Sequence, residues 1–220
     1  MVKELLKKIT DAELSAYIDA HWKQIDRDFH GVQSQIPERH RMPRSEISFH
    51  QDTKLLGYLA LMSMHLRGDI LEIGVWKGKS LAFMNRVKQN ARKVIGIDPL
   101  ELPNQAMELS FYKENLYPDV TVIPSYSEVA VEKFSEISSE ISVFHIDGGH
   151  EARHVILDFL LYEKLVVPGG FVLFDDYRDF EYSPEVGPAV DLLRVGGLFR
   201  NYKIFGNIPG FESSYLLQKK

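Results

Sequence analysis

The chain has no cysteine among its 220 residues. That removes disulfides, thiolate nucleophiles and cysteine-bound zinc from the chemistries open to it, and it fits a reducing compartment. Positive charge is not in surplus either. Lysine and arginine number 26 against 31 aspartates and glutamates, a formal net charge of -5, and the basic residues are scattered. No basic stripe is there to hold a phosphate backbone, so a nucleic-acid partner is disfavoured. Long apolar runs are missing, and Met1-Val-Lys-Glu-Leu-Leu-Lys-Lys mixes both signs of charge, unlike a signal peptide. The expectation is a cytoplasmic protein with no membrane partner. Repeats and low-complexity linkers are absent too. What is there is a chain with 45% hydrophobic residues, enough to bury one substantial core and more in keeping with one domain than two.

Apolar positions Leu14, Tyr17, Ile18, Trp22 and Ile25 recur at helical spacing between about Asp11 and Asp26. From Phe29 to Ser48 the pattern dissolves into prolines, arginines and histidines, including Pro37-Glu-Arg-His-Arg-Met-Pro43, and reads as a mobile loop or lid. Asp52 then suits the cap of a second helix reaching about Leu66. Strand-like runs at 69–74, 93–98, 119–124, 141–147 and 170–175 alternate with helical patterns near 79–89, 104–115, 127–135 and 151–165. Such alternation predicts a parallel sheet covered on both faces. A last helix around Pro184 to Arg194 and two strands at 199–206 and 213–218, parted by Gly206-Asn-Ile-Pro-Gly210, close the chain as an antiparallel hairpin. The fold class is therefore α/β: a mostly parallel seven-stranded sheet with helices on both faces. Residues 1–66 form a helical and lid segment packed on the same domain as the core, 67–220.

The stretch Glu72-Ile-Gly74-Val-Trp76-Lys-Gly78-Lys-Ser80 reads as a strand, a glycine turn and a helix start. Glycines at 74 and 78 permit a tight turn and close backbone approach, and the helix start offers unpaired N–H groups. Asp98, at the tip of the next strand, is placed to meet two ribose hydroxyls. A P-loop needs four residues between its first glycine and Gly-Lys-Ser, and Val75, Trp76 and Lys77 are one too few. A nicotinamide fingerprint needs a second glycine where Trp76 stands. The remaining pattern, Glu-x-Gly-x-x-x-Gly, resembles the first motif of class I S-adenosylmethionine-dependent methyltransferases. That resemblance implies the Rossmann-like fold of those enzymes, with S-adenosylmethionine as cofactor. The backbone around Gly74 would lie on its methionine part, and Asp98 would hold its ribose.

Ligands of α/β sheets sit beyond the carboxyl ends of the strands. Those ends read Glu72/Gly74, Asp98, Pro124-Ser125-Tyr126-Ser127, Asp147-Gly-Gly-His150 and Asp175-Asp176-Tyr177. Turn chemistry accounts for any one of them but not readily for all. Asp147, Asp175 and Asp176 would converge at one edge of the pocket, where a divalent cation such as Mg²⁺ would relieve their repulsion. The alternative left open by the residues alone has Asp175 capping the next helix, Asp176 in solvent and Asp147 bonded to its own turn.

Val143-Phe-His-Ile-Asp147-Gly-Gly-His150, Leu165-Val-Val-Pro-Gly-Gly170 and Phe171-Val-Leu-Phe-Asp175-Asp176-Tyr177 together resemble the methyltransferases grouped with macrocin O-methyltransferase and with proteins labelled cephalosporin hydroxylases. The resemblance implies magnesium at Asp147, Asp175 and Asp176. The related layout of catechol O-methyltransferase-like enzymes implies that Ser80 meets the cofactor carboxylate and that Ser127, with Ser125 at the same strand end, lies near the adenine. It also puts His150 at the position of the base that deprotonates an acceptor hydroxyl, a position where the catechol enzymes have lysine. Asp147 and His150 are thus the catalytic candidates. The cofactor candidates are Glu72, Gly74, Trp76, Gly78, Ser80, Asp98, Ser125, Ser127 and Asp147.

His150-Glu151-Ala-Arg-His154 also satisfies His-Glu-x-x-His of zinc proteases, yet Gly148-Gly149 puts the first histidine at a helix entrance and no further histidine ligand follows in Gly-x-x-His form. His154 is expected on or against the helix surface, and His145 is structural or beside the cofactor. Trp76 covers the methionine part or packs on the sheet edge, Tyr126 flanks adenine, and Tyr177 borders the acceptor. The 30–50 segment, with His40, Arg41, Arg44 and His50, is a lid or a solvated connector. The first helices pack on the sheet or form a homodimer contact. The expected partner is a small-molecule hydroxyl acceptor, a sugar, phenol or natural product. A metal-dependent hydroxylase or hydrolase and a non-catalytic cofactor-binding protein stay open as alternatives.

Overall fold

The computed structural model describes residues 2–43 and 53–220, with side chains from Leu5 onward in the first helix. Arg44, His50 and Asp52, singled out from the sequence, lie outside the described residues. Helices α1 (Val2–Ile9), α2 (Ala12–Gln35) and α3 (Thr53–Met62) precede the alternating core. The core runs β1 (Asp69–Ile73), α4 (Lys79–Val87), β2 (Val94–Asp98), α5 (Gln105–Leu116), β3 (Thr121–Pro124), α6 (Ser127–Ile137), β4 (Ile141–Ile146), α7 (Ala152–Tyr162) and β5 (Val166–Phe174). Helix α8 (Val186–Val195) and strands β6 (Tyr202–Ile208) and β7 (Phe211–Lys219) finish it.

The sheet has seven strands in the order β3-β2-β1-β4-β5-β7-β6. Neighbours among the first five pair parallel, whereas β7 pairs antiparallel with both β5 and β6. Successive strand residues divide between two cores, as the twofold side-chain period requires. Ile70, Val94, Val143 and Leu173 join the core under α1 to α5, while Leu71, Ile95, Phe144 and Val172 join the one under α6 to α8. Both faces of the parallel strands are thus covered, which explains why these strands read as unbroken apolar runs rather than as alternation.

Helix α2 corrects the sequence reading. It continues to Gln35 instead of ending near Asp26, because Phe29 and Val32 prolong the buried stripe of Ile18, Trp22 and Ile25. The Asp11 carboxylate caps its start by accepting from the Leu14 N–H at 2.9 Å. Ile36, extended ahead of Pro37, ends it. The following residues are anchored as well: Ile36 and Met42 are buried, and Asn104 Nδ2 donates to the Arg39 and Arg41 carbonyls. The stretch 29–43 is therefore helix followed by a pinned turn, not an open loop. Within the stripe, Trp22 meets Phe83 of α4 edge-on at 4.9 Å, and Phe29 stacks on Tyr112 of α5 at 4.5 Å.

Phe29→Ala should lower unfolding free energy by about 3–5 kcal/mol, the cost of emptying a fully buried aromatic site. Urea denaturation followed by circular dichroism would measure it. An unchanged midpoint would mean that α2 is not part of the cooperative core.

Candidate active site

Register sets the site. Ile73 pairs with Ile97 on one side and Ile146 on the other, and Ile146 pairs with Phe174. The next residues along each strand, Gly74, Asp98, Asp147 and Asp175, consequently emerge at one rim. Three N–H bonds carry the ladder past the strand ends: Gly74 to the Ile97 carbonyl (2.9 Å), Asp147 to Ile73 (2.8 Å) and Asp175 to Ile146 (3.0 Å). The strand order reverses between β2-β1 and β1-β4, the switch point at which open α/β sheets form their crevice.

Glycine at 74 is demanded by the chain itself. Its φ is +89°, and a Cβ there would lie 1.8 Å from the Asp147 carbonyl oxygen. Gly78, at φ +75°, packs on Tyr117, whose hydroxyl donates to the Lys77 carbonyl at 2.9 Å. Between them Trp76 holds a left-handed φ of +46°, uncommon for an aromatic residue. The Asp98 carboxylate stabilises this turn: Oδ2 accepts from the N–H of Val75 (2.8 Å) and Trp76 (3.1 Å), while Oδ1 accepts from the Leu100 N–H (2.7 Å) and Gln105 Nε2 (3.1 Å).

A cavity of about 560 Å³ opens over the rim. Gly74, Trp76, Asp98, Ser125, Ser127, Asp147, His150, Asp175 and Asp176 all line it. Three of the candidates do not. Glu72 is fully buried below the rim, Gly78 faces Tyr117, and Ser80 borders a smaller adjoining cavity of about 90 Å³ that also touches Trp76, His145, Asp147 and Asp175. Tyr126 is at the cavity wall but half exposed, and Tyr177 is bonded to Asp191 at 3.0 Å.

The carboxylates divide around two histidines. Glu72 and His145 are cross-strand partners, and Glu72 Oε1 lies 2.8 Å from His145 Nδ1. His145 Nε2 is 3.8 Å from Asp175 Oδ2. Burial opposes charge on His145, but hydrogen bonding to Asp175 and Glu72 outweighs it and holds the imidazole well above its ordinary pKa. Burial, then the charge of Asp175, pushes the Asp147 carboxyl well up, and the same two causes raise Asp176. On the other side His150 Nε2 lies 3.3 Å from Asp176 Oδ2, and Ser183 Oγ is 2.9 Å from both His150 Nδ1 and Asp176 Oδ2. Among the described residues, ligand atoms of Asp147, His150 and Asp176 lie within 4.8 Å of one another, as do those of Glu72, His145 and Asp147. Asp175 is in neither trio. His154 is in neither as well, and His150 precedes α7 instead of sitting inside it, so the arrangement is not that of a helical His-Glu-x-x-His zinc site.

Sequence reasoning passed over Gln105, Ser183 and Asp158. The first two gain their significance only in the fold, where Gln105 Nε2 donates to Asp98 Oδ1 and Ser183 joins His150 to Asp176. Asp158 did carry one: it lies on the buried stripe of α7 with Val155, Phe159 and Tyr162, where a carboxylate is out of place. It accepts a hydrogen bond from Ser127 Oγ, and burial raises its pKa to about 6. Because the folded value exceeds the unfolded one, the associated stability is present in acid and lost as pH rises from about 4 through 6. Relative to the native chain, Asp158→Asn should therefore gain about 2 kcal/mol between pH 4 and pH 7 in parallel denaturation series. Parallel pH profiles for the two proteins would contradict this.

Comparison with known proteins agrees with this architecture. Residues 71–177 match a family model described as a methyltransferase domain. An uncharacterized protein of Acanthamoeba polyphaga mimivirus is 39% identical over 126 residues, 55% of this chain and 57% of that protein. The chain thus spans little more than half the length of that relative. Among solved structures, the O-methyltransferase NovP superposes with a TM-score of 0.67 at 17% identity, over 94% of this chain and 99% of its own. An O-methyltransferase from Bacillus cereus in complex with SAH gives 0.62 at 16%, with 91% of each chain covered. Identities this low speak to the fold. The matched segment thus resembles a methyltransferase domain, and the fold of the chain is the one seen in these O-methyltransferases.

Proposed function

We propose that the chain is an S-adenosylmethionine-dependent O-methyltransferase that acts on a hydroxyl of a small molecule, with a divalent cation, magnesium, at the acceptor side. The observation that carries this is one cavity lined by the Gly74 turn and Asp98 together with Asp147, His150, Asp175 and Asp176. Its volume suits a small-molecule ligand. The electrostatics suit a cationic one: Glu72 Oε2 is buried without a hydrogen-bond partner among the described residues, and burial and the charge of Asp175 raise the proton affinity of both Asp147 and Asp176. Carboxylate oxygens are hard donors of the kind magnesium takes. Asp147 and Asp176 would hold it, with Asp175 beside them.

When bound, S-adenosylmethionine supplies a methyl group already activated on sulfonium sulfur, and the cation supplies charge that makes an acceptor hydroxyl more acidic. The chain's own task is placement and proton removal. The turn from Gly74 to Gly78, fixed by Asp98 and Tyr117, shapes the donor end. Trp76 borders both cavities. At the acceptor end Ser183 donates its proton to Asp176. Its oxygen is then free to accept from His150 Nδ1–H, which leaves the lone pair on Nε2. That nitrogen is the proton acceptor for the hydroxyl, and Asp176 Oδ2 at 3.3 Å balances the charge it gains. Similarity to NovP, named an O-methyltransferase, supports oxygen as the methylated atom.

Titration calorimetry with S-adenosylhomocysteine, with and without Mg²⁺, tests the cofactor half directly; no heat of binding under either condition would end the reading. Asp176→Ala should abolish the response to Mg²⁺ while leaving S-adenosylhomocysteine affinity within a few-fold. Loss of cofactor binding with the metal response intact would reverse these roles. His150→Ala should lower turnover by roughly 10²- to 10⁴-fold with cofactor affinity preserved, the usual range for a general base. Full activity in that variant would remove His150 from the chemistry.

A further inference from the structure

Asp158 takes no part in the proton transfer described above, yet it is a carboxylate only 3% exposed that lines the cavity. It reaches from α7 to Ser127, the first residue of α6, whose hydroxyl donates to Asp158 Oδ1. A serine has a single proton to give. The other carboxylate in reach is Glu128, with Oε2 at 3.4 Å from the same oxygen. Either way the proton is turned toward the protein, and the lone pairs of Ser127 Oγ remain for whatever occupies the cavity. The serine is also held in place from behind, since Tyr162 donates to its carbonyl at 2.7 Å.

Position then identifies the ligand group. Strand β3 lies next to β2, with Asp98 registered against Pro124. Asp98 and residues 125–127 line the same cavity, so a nucleoside with its ribose at Asp98 would bring the far edge of its base to Ser127. We propose that Asp158 makes this site selective for a 6-aminopurine over a 6-oxopurine, by committing the Ser127 proton so that Ser127 presents only an acceptor to the substituent at C6. This rests on the cofactor reading above. An exocyclic amine donates to Ser127 Oγ, whereas a keto oxygen there meets lone pairs and finds no donor. Asp158 is thus a positioning residue that acts through Ser127.

The test compares S-adenosylhomocysteine with its deaminated counterpart, S-inosylhomocysteine, by calorimetry at pH 8. The native protein should favour the adenosyl compound by roughly 10- to 100-fold, the effect of one mismatched buried polar contact. In Asp158→Asn the amide can donate to Ser127 Oγ and release the hydroxyl to donate to a keto group, so the preference should shrink to a few-fold. Ser127→Ala, which removes the acceptor, should shrink it too and serves if the first variant does not fold. Any discrimination at the neighbouring ring nitrogen is common to all three proteins and cancels in the comparison. A preference unchanged in both variants, or absent in the native protein, overturns the inference while leaving the cofactor reading intact. Failure of the native protein to bind either compound overturns both.

Discussion

The contact between Gly74 and the Asp147 carbonyl is the constraint on which the site depends. Strands β1 and β4 run so close beyond their last paired residues that no side chain fits between them. This closeness lets the ladder extend one residue further and deliver Gly74 and Asp147 side by side at the switch point of the sheet. The turn that follows Gly74 is then held by Asp98 from β2, so three strands define one local geometry. The glycine is required by the protein's own packing before any ligand is considered.

Charge follows from the same geometry. Parallel register sets Asp147 beside Asp175 and Asp176, and Asp147 and Asp176 hold their protons more tightly because of burial and of the charge of Asp175. His145 partly offsets the repulsion at Asp147. Such a balance favours positive charge at the rim. The uncovered oxygen of Glu72, below the rim, adds to the same tendency.

Much of the fold was legible because its period is strong. The five buried parallel strands read as apolar runs, and the intervening helices begin within a few residues of their expected starts. The stretch 206–210 marked the closing hairpin, although β6 runs on to Ile208 and leaves only Pro209 and Gly210 as the turn. Helix α2 was underestimated because the polar and charged residues around His30 obscured a stripe that continues through Phe29 and Val32. The strand tips, too, were legible, since Gly74, Asp98, Asp147, Asp175 and Asp176 each end an apolar run. Their pairings were not. Sequence order says nothing of Ser183 bridging His150 and Asp176, or of Asp158 reaching Ser127 across 31 residues.

By itself the sequence determined the alternation of strands and helices, the glycine turn, and which residue types stand at the carboxyl ends of the strands. These follow from local rules: side-chain period, backbone freedom at glycine, and capping. Tertiary structure decided which of those residues share a cavity, that Asp175 leans toward His145 while Asp176 pairs with His150, and that Glu72 lies beneath the floor instead of in the wall. The reason is physical. Such contacts depend on strand order and register, and these are set by the packing of two separate apolar cores against one sheet, which no single segment of the chain encodes.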